Sequence, residues 1–93
     1  MATIKQIEHK LNQINKMLGY SVEKYKPYRI DNKLVSNINH YYLQQAYGRF
    51  KIEQIVNNGG GARDVSMSGT KAEIYNFLQG MFEIVEHNTV LLD

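Results

Sequence analysis

The stretch VNNGGGARDVSMSGTK, Val56 to Lys71, sets three consecutive glycines ahead of a Gly-Thr-Lys. Its reading separates a nucleotide enzyme from a small binding module. A Walker-type phosphate loop requires G-x-x-x-x-G-K-[ST], with a strand before it and a helix opening at the lysine. Here a strand-like run separates the glycines from Gly69-Thr70-Lys71, Thr and Lys stand in reverse order, and no second acidic motif offers itself to magnesium. Asn57 to Gly61 therefore reads as a hairpin turn built from residues that tolerate positive φ. Thr70 reads as a helix cap, with Glu73 three positions on to close a capping box. The amides from Thr70 to Glu73 form a helix N-terminus that an anion could use, with Lys71, Ser68 and Arg63 to line it, but the capping box draws on the same amides.

The flanking segments follow from periodicity. After Thr70, Ile74, Leu78, Met81 and Val85 keep helical spacing, and Phe77 and Phe82 widen that face. Before the glycines, Arg49 to Val56 alternates Phe50 and Ile52 against Arg49, Lys51 and Glu53, and Asn37 to Leu43 alternates in the same way, so two strands joined by QQAYG are expected. ARDVSMS, with Val65 and Met67 alternating against Asp64, Ser66 and Ser68, supplies a third. At the other end, Ile4, Ile7, Leu11, Ile14 and Leu18 form one helical stripe, which Thr3 and Gln6 cap and Gly19 terminates. Tyr20 to Leu34 holds the single proline and Asp31-Asn32, and is expected to be an extended, turn-containing connection. The expected fold is α+β: an N-terminal helix, a three-stranded antiparallel meander and a C-terminal helix (α-β-β-β-α), with both helices on one sheet face. The apolar tail Val90 to Leu92 must fold back, extend the helix or meet a partner.

At 93 residues and 43% apolar content, the chain is sized for one domain, residues 1–93. It has no cysteine, which excludes a disulfide framework, a thiolate metal site and a thiol nucleophile. No run approaches the ~20 apolar residues of a membrane span, and the first residues lack the apolar stretch of a signal peptide, so a cytoplasmic location without membrane contact is expected. The net charge of +2 conceals an asymmetry: all eleven Lys and Arg lie in residues 1–71 with five acids, whereas residues 72–93 hold four acids and no base. Neither the dense carboxylates of a DNA mimic nor the basic balance of a dedicated nucleic-acid binder is present. His9, His40 and His87 fall in separate elements without metal-ligand spacing, Glu83 and Glu86 read as surface charges, and no Ser-His-Asp grouping emerges. No enzyme activity, metal or cofactor is expected.

The seven tyrosines stand out. Tyr20, Tyr25 and Tyr28 interleave with Lys24, Lys26 and Arg29, while Tyr41, Tyr42 and Tyr47 precede Arg49 and Lys51. Such rings can pack in a core or at its edge with the hydroxyl at the rim, anchor a protein interface, or stack on bases beside phosphate-binding cations. The candidate binding residues are Tyr25, Tyr28, Arg29, Tyr41, Tyr47, Arg49, Lys51, Arg63, Thr70 and Lys71.

Ala46-Tyr47-Gly48, Asn57 with Gly60-Gly61, and Gly69-Thr70-Lys71 with Glu73-Ile74-Tyr75 carry a resemblance covering about half the chain. With these motifs the sequence resembles a group of small bacteriophage proteins that share an A-Y-G hairpin, an N-x-x-G-G turn and a G-T-K-x-E-[IV]-Y helix start. The opening helix with LNQINKMLG looks similar too, whereas Gln45 and Arg49 stand where that group more often has glycine. The resemblance implies origin rather than mechanism, since the shared residues are turn, cap and packing residues. Small phage accessory proteins commonly act by stoichiometric binding, so the leading expectation is a protein that binds and inhibits a bacterial host protein, an anti-defence factor acting in the host cytoplasm. Two alternatives stay open: an oligomeric sponge holding a phosphorylated nucleotide messenger with Arg63, Lys71 and a stacking tyrosine, and a module related to double-stranded-RNA binders by element order alone.

Overall fold

The computed structural model describes residues 2–92, and the side chains of residues 2–88. The elements run α1 (Ile4–Met17), β1 (Tyr25–Ile30), β2 (Lys33–Ser36), β3 (Tyr41–Ala46), β4 (Arg49–Ile55), β5 (Ala62–Asp64) and α2 (Lys71–Leu92). The class is α+β, as expected.

Both helices start where the capping boxes place them. Thr3 Oγ1 accepts from the Gln6 amide at 3.1 Å and Gln6 Oε1 from the Thr3 amide at 2.9 Å. At α2, Thr70 Oγ1 accepts from the Glu73 amide at 3.2 Å and Glu73 Oε1 from the Thr70 amide at 3.0 Å. Gly19 follows α1 at a φ of 78° and donates to the Lys16 carbonyl, the left-handed termination its position implies.

β3, β4 and β5 form an antiparallel meander in that order. Its register opposes Tyr41 to Gln54, Leu43 to Ile52 and Gln45 to Phe50, so Tyr41, Leu43, Phe50 and Ile52 share one face. Ile7, Leu11 and Ile14 of α1 and Ile74 and Leu78 of α2 close over that face in one buried cluster. α1 lies against β3, α2 against β4, and the helices pack on each other. Burying each of these aliphatic side chains contributes about 1.5–3 kcal/mol before the entropy of ordering is subtracted.

Three details differ from the sequence reading. The connection from Tyr20 to Leu34 contains β1 and leads into β2, which pair as a separate two-stranded sheet. Asp31 and Asn32, at φ of 52° and 62°, close its turn rather than merely breaking a helix. Pro27 falls in the irregular register between Tyr25 and Arg29, where a missing N–H is tolerated. The first meander strand begins at Tyr41 rather than Asn37, because Asn39 takes a φ of 77° and turns the chain. The third strand ends at Asp64: beyond it the Ser66 hydroxyl, not a backbone carbonyl, accepts from the Ile52 amide at 2.8 Å, and Gly69 alone returns to pair with Phe50. The side chains of the Val90 to Leu92 tail lie outside the described residues.

Candidate functional site

The glycine turn is closed by its own asparagine. Asn57 Oδ1 accepts from the amides of Gly59 and Gly61, both at 3.0 Å, and the Gly60 amide donates to the Asn57 carbonyl at 3.2 Å. These are the amides a phosphate would need. Gly60 sits at a φ of 93°, and a Cβ at Gly61 would collide with the Asn57 side chain, which accounts for glycine at both positions. At the helix N-terminus the amides of Thr70 and Glu73 are likewise taken up by each other's side chains. These hydrogen bonds, the backbone one first, hold the Glu73 carboxyl below its ordinary range.

The sequence-derived binding residues fall in separate places. Tyr25, Tyr28 and Arg29 lie on β1. Tyr47 and Arg49 lie at the β3–β4 turn, with Thr70 and Lys71 nearby: Arg49 Nη2 donates to the Ser68 carbonyl at 3.2 Å and Lys71 Nζ stands 5.9 Å from the Phe50 ring centroid. Lys51 and Arg63 lie on β4 and β5. Arg63 Nε donates to Gln54 Oε1 at 2.9 Å on the helix-covered side, roughly 14 Å along β4 from Phe50 at the usual strand rise. Arg63 and Lys71 are therefore not brought together. Tyr41 is buried in the core, 8% exposed, and is withdrawn from any surface role.

The uncovered face of the meander is electrostatically self-contained. Lys51 Nζ reaches Asp64 Oδ1 at 3.0 Å and Glu53 Oε2 at 3.2 Å, and both contacts hold its pKa above the ordinary lysine value. Tyr42 donates to Glu53 Oε1 at 2.6 Å; burial first, then this hydrogen bond, pushes its hydroxyl up to about 12. Both carboxylates are engaged, Asp64 by Lys51 and Glu53 by Lys51 and Tyr42.

The β1–β2 hairpin has the opposite character. Tyr25, Tyr28, Ile30 and Leu34 are 42–57% exposed on it. Lys26, Arg29 and Lys33 surround them with Asp31 as the single acid from Tyr25 to Ser36. The hairpin packs chiefly on itself and is tied down at its base: Asn37 Nδ2 donates to Ser21 Oγ and the Glu23 carbonyl, and the Ser36 amide to the Asn58 carbonyl at 3.0 Å. Lys24 joins it to the meander, its Nζ 4.3 Å from the Tyr42 ring centroid and 5.6 Å from that of Tyr25. Ile30 and Leu34 were missed by sequence reasoning, which expected an extended connection where paired strands display side chains, and Lys24 was noted there only among the bases interleaved with the tyrosines.

Between α1 and β3 runs a groove of about 430 Å³ bordered by Ile4, Glu8, Leu11 and Leu43 to Gln45. Asn15 of α1, fully buried, pairs with the backbone of Tyr41. His40 Nδ1 lies 2.7 Å from the Ser21 carbonyl. Among the described residues no group of three or more His, Cys, Asp or Glu side chains is placed to hold a metal ion, and no helix is long and apolar enough to cross a membrane. Comparison with protein-family models, curated proteins and solved structures gives no match.

Proposed function

We propose that this chain is a non-enzymatic binding module that docks through its β1–β2 hairpin onto an acidic surface of a partner protein. The observation that carries the reading is the hairpin itself: it exposes Tyr25, Tyr28, Ile30 and Leu34, buries Val35 and Ser36 at its base, and adds no side chain to the main core cluster. An isolated two-stranded hairpin is marginal in water, and exposed apolar side chains rimmed by charge are typical of interaction surfaces. Tyrosine and arginine are favoured anchors because they bury large area with specific polar ends. The surplus of Lys26, Arg29 and Lys33 over Asp31 suits a carboxylate-rich partner.

In the setting the bacteriophage-like motifs imply, the partner is a bacterial host protein, the outcome is stoichiometric inhibition of a defence component, and the location is the host cytoplasm. The nucleotide-sponge reading is less favoured because Arg63 and Lys71 sit apart and the amides of Gly59, Gly61, Thr70 and Glu73 are already engaged. The RNA reading is less favoured because α2 opens with Lys71 as its one base and continues with Glu73. The test is affinity capture from bacterial lysate with the full chain as bait, paired with calorimetry against cyclic dinucleotides. Retention of a stoichiometric protein without heat from any nucleotide supports the proposal; tight binding of a nucleotide by the purified chain overturns it.

A further inference from the structure

We infer that two copies of this chain pair through the β3 edge, antiparallel and centred on Gln44, to form a continuous six-stranded sheet. β3 is a sheet edge. The Tyr41 N–H and C=O face away from β4, since both are bonded to Asn15. The alternation of an antiparallel ladder points the same groups of Leu43 and Gln45 outward too, and among the described residues these find no partner. One end of the edge is closed by Asn15 and the other by the Tyr47-Gly48 turn, which leaves a short open window centred on Gln44.

The charge pattern identifies the occupant as a second copy. Every other free edge carries charge: Lys26, Arg29 and Pro27 on β1, Lys33 on β2, Arg63 and Asp64 on β5. Such residues oppose edge-to-edge pairing. β3, YYLQQA, has neither charge nor proline, so the strand sets no like charge opposite itself in a copy, while a charged strand gains no ion pair from it. In the two-fold register Leu43 of each copy faces Gln45 of the other, and all the outward groups are satisfied. Gln44 then faces Gln44 of the second copy, and its carboxamide, both donor and acceptor, complements itself. Ile4, on the flanking groove, is 36% exposed in the single chain and borders the site the second strand would occupy. So short an edge falls at the small end of specific interfaces, and the dimer is expected to be concentration-dependent.

The test needs no ligand and is independent of hairpin function. The chain contains no cysteine, so Gln44→Cys introduces a single thiol. Facing Cβ atoms in this register lie about 4.5–5.5 Å apart, within disulfide range after small adjustment. Mild oxidation should convert Gln44→Cys to a covalent dimer, while Ala46→Cys, one register step away, should not. By sedimentation, wild type should associate in the micromolar range. Gln44→Lys and Gln44→Glu should each dissociate roughly tenfold more readily, and an equimolar mixture of the two should recover association. Circular dichroism checks that each variant is folded. A wild type that stays monomeric to high micromolar concentration, or a dimer indifferent to both charge variants and to the cysteine pair, overturns the inference.

Discussion

Asn15 of α1 treats the backbone of Tyr41 as a neighbouring strand would: its Nδ2 donates to the Tyr41 carbonyl at 3.1 Å and its Oδ1 accepts from the Tyr41 amide at 3.0 Å. One buried side chain thus locks helix to sheet and ends the free edge of β3. Asn15→Ala leaves a buried N–H and C=O without partners and should cost about 2–4 kcal/mol. Urea unfolding checks this. A loss below about 0.5 kcal/mol would show that water replaces the carboxamide freely.

Tyr42 gives a pH signature. Its hydroxyl is pushed from 10.0 up to about 12, so folding favours the protonated phenol. That stabilisation is complete below pH 10 and is lost as pH rises through the folded value. The urea midpoint should therefore fall between about pH 10 and 12 more steeply in wild type than in Tyr42→Phe, with Tyr41 unchanged in both. Parallel pH profiles would contradict the burial and the Glu53 hydrogen bond as the cause.

Tyr47 stands at a φ of 54° with its ring fully exposed. A bulky side chain in the left-handed region is strained, and glycine or asparagine would serve this turn at lower cost. Tyr47→Gly should raise stability by about 0.5–1 kcal/mol, measured by thermal unfolding. If the ring is a second anchor for the partner, the same variant binds more weakly while being more stable. A destabilised Tyr47→Gly would mean the ring packs locally after all.

Much of this fold was legible because its signals are local. The stripe from Ile4 to Leu18, the capping boxes at Thr3 and Thr70 and the alternation from Phe50 to Ile52 each state an element within a few residues. The glycine turn was legible for the same reason, although its closure by Asn57 needed coordinates. What was not legible depends on pairing. Pro27 and Asp31-Asn32 argue against a helix equally well whether the chain forms a loop or a hairpin, and only the register of β1 with β2 decides. Tyr41 and Tyr42 are adjacent and chemically alike, yet strand alternation sends one to the core and the other to Glu53. Asn15, four residues after Leu11, already lay on the buried side of α1 by spacing; its bond to Tyr41, 26 positions away, carried no local mark.

The central claim is that the β1–β2 hairpin recognises a partner while the helices and meander carry the fold. It is tested most directly by comparing wild type with Tyr28→Ala combined with Arg29→Glu, measuring affinity for the captured partner and melting temperature on the same samples. The account predicts at least a roughly hundredfold loss of affinity, weaker salt dependence of what remains, and a melting temperature within a few degrees of wild type. Undiminished affinity in a folded variant would contradict it.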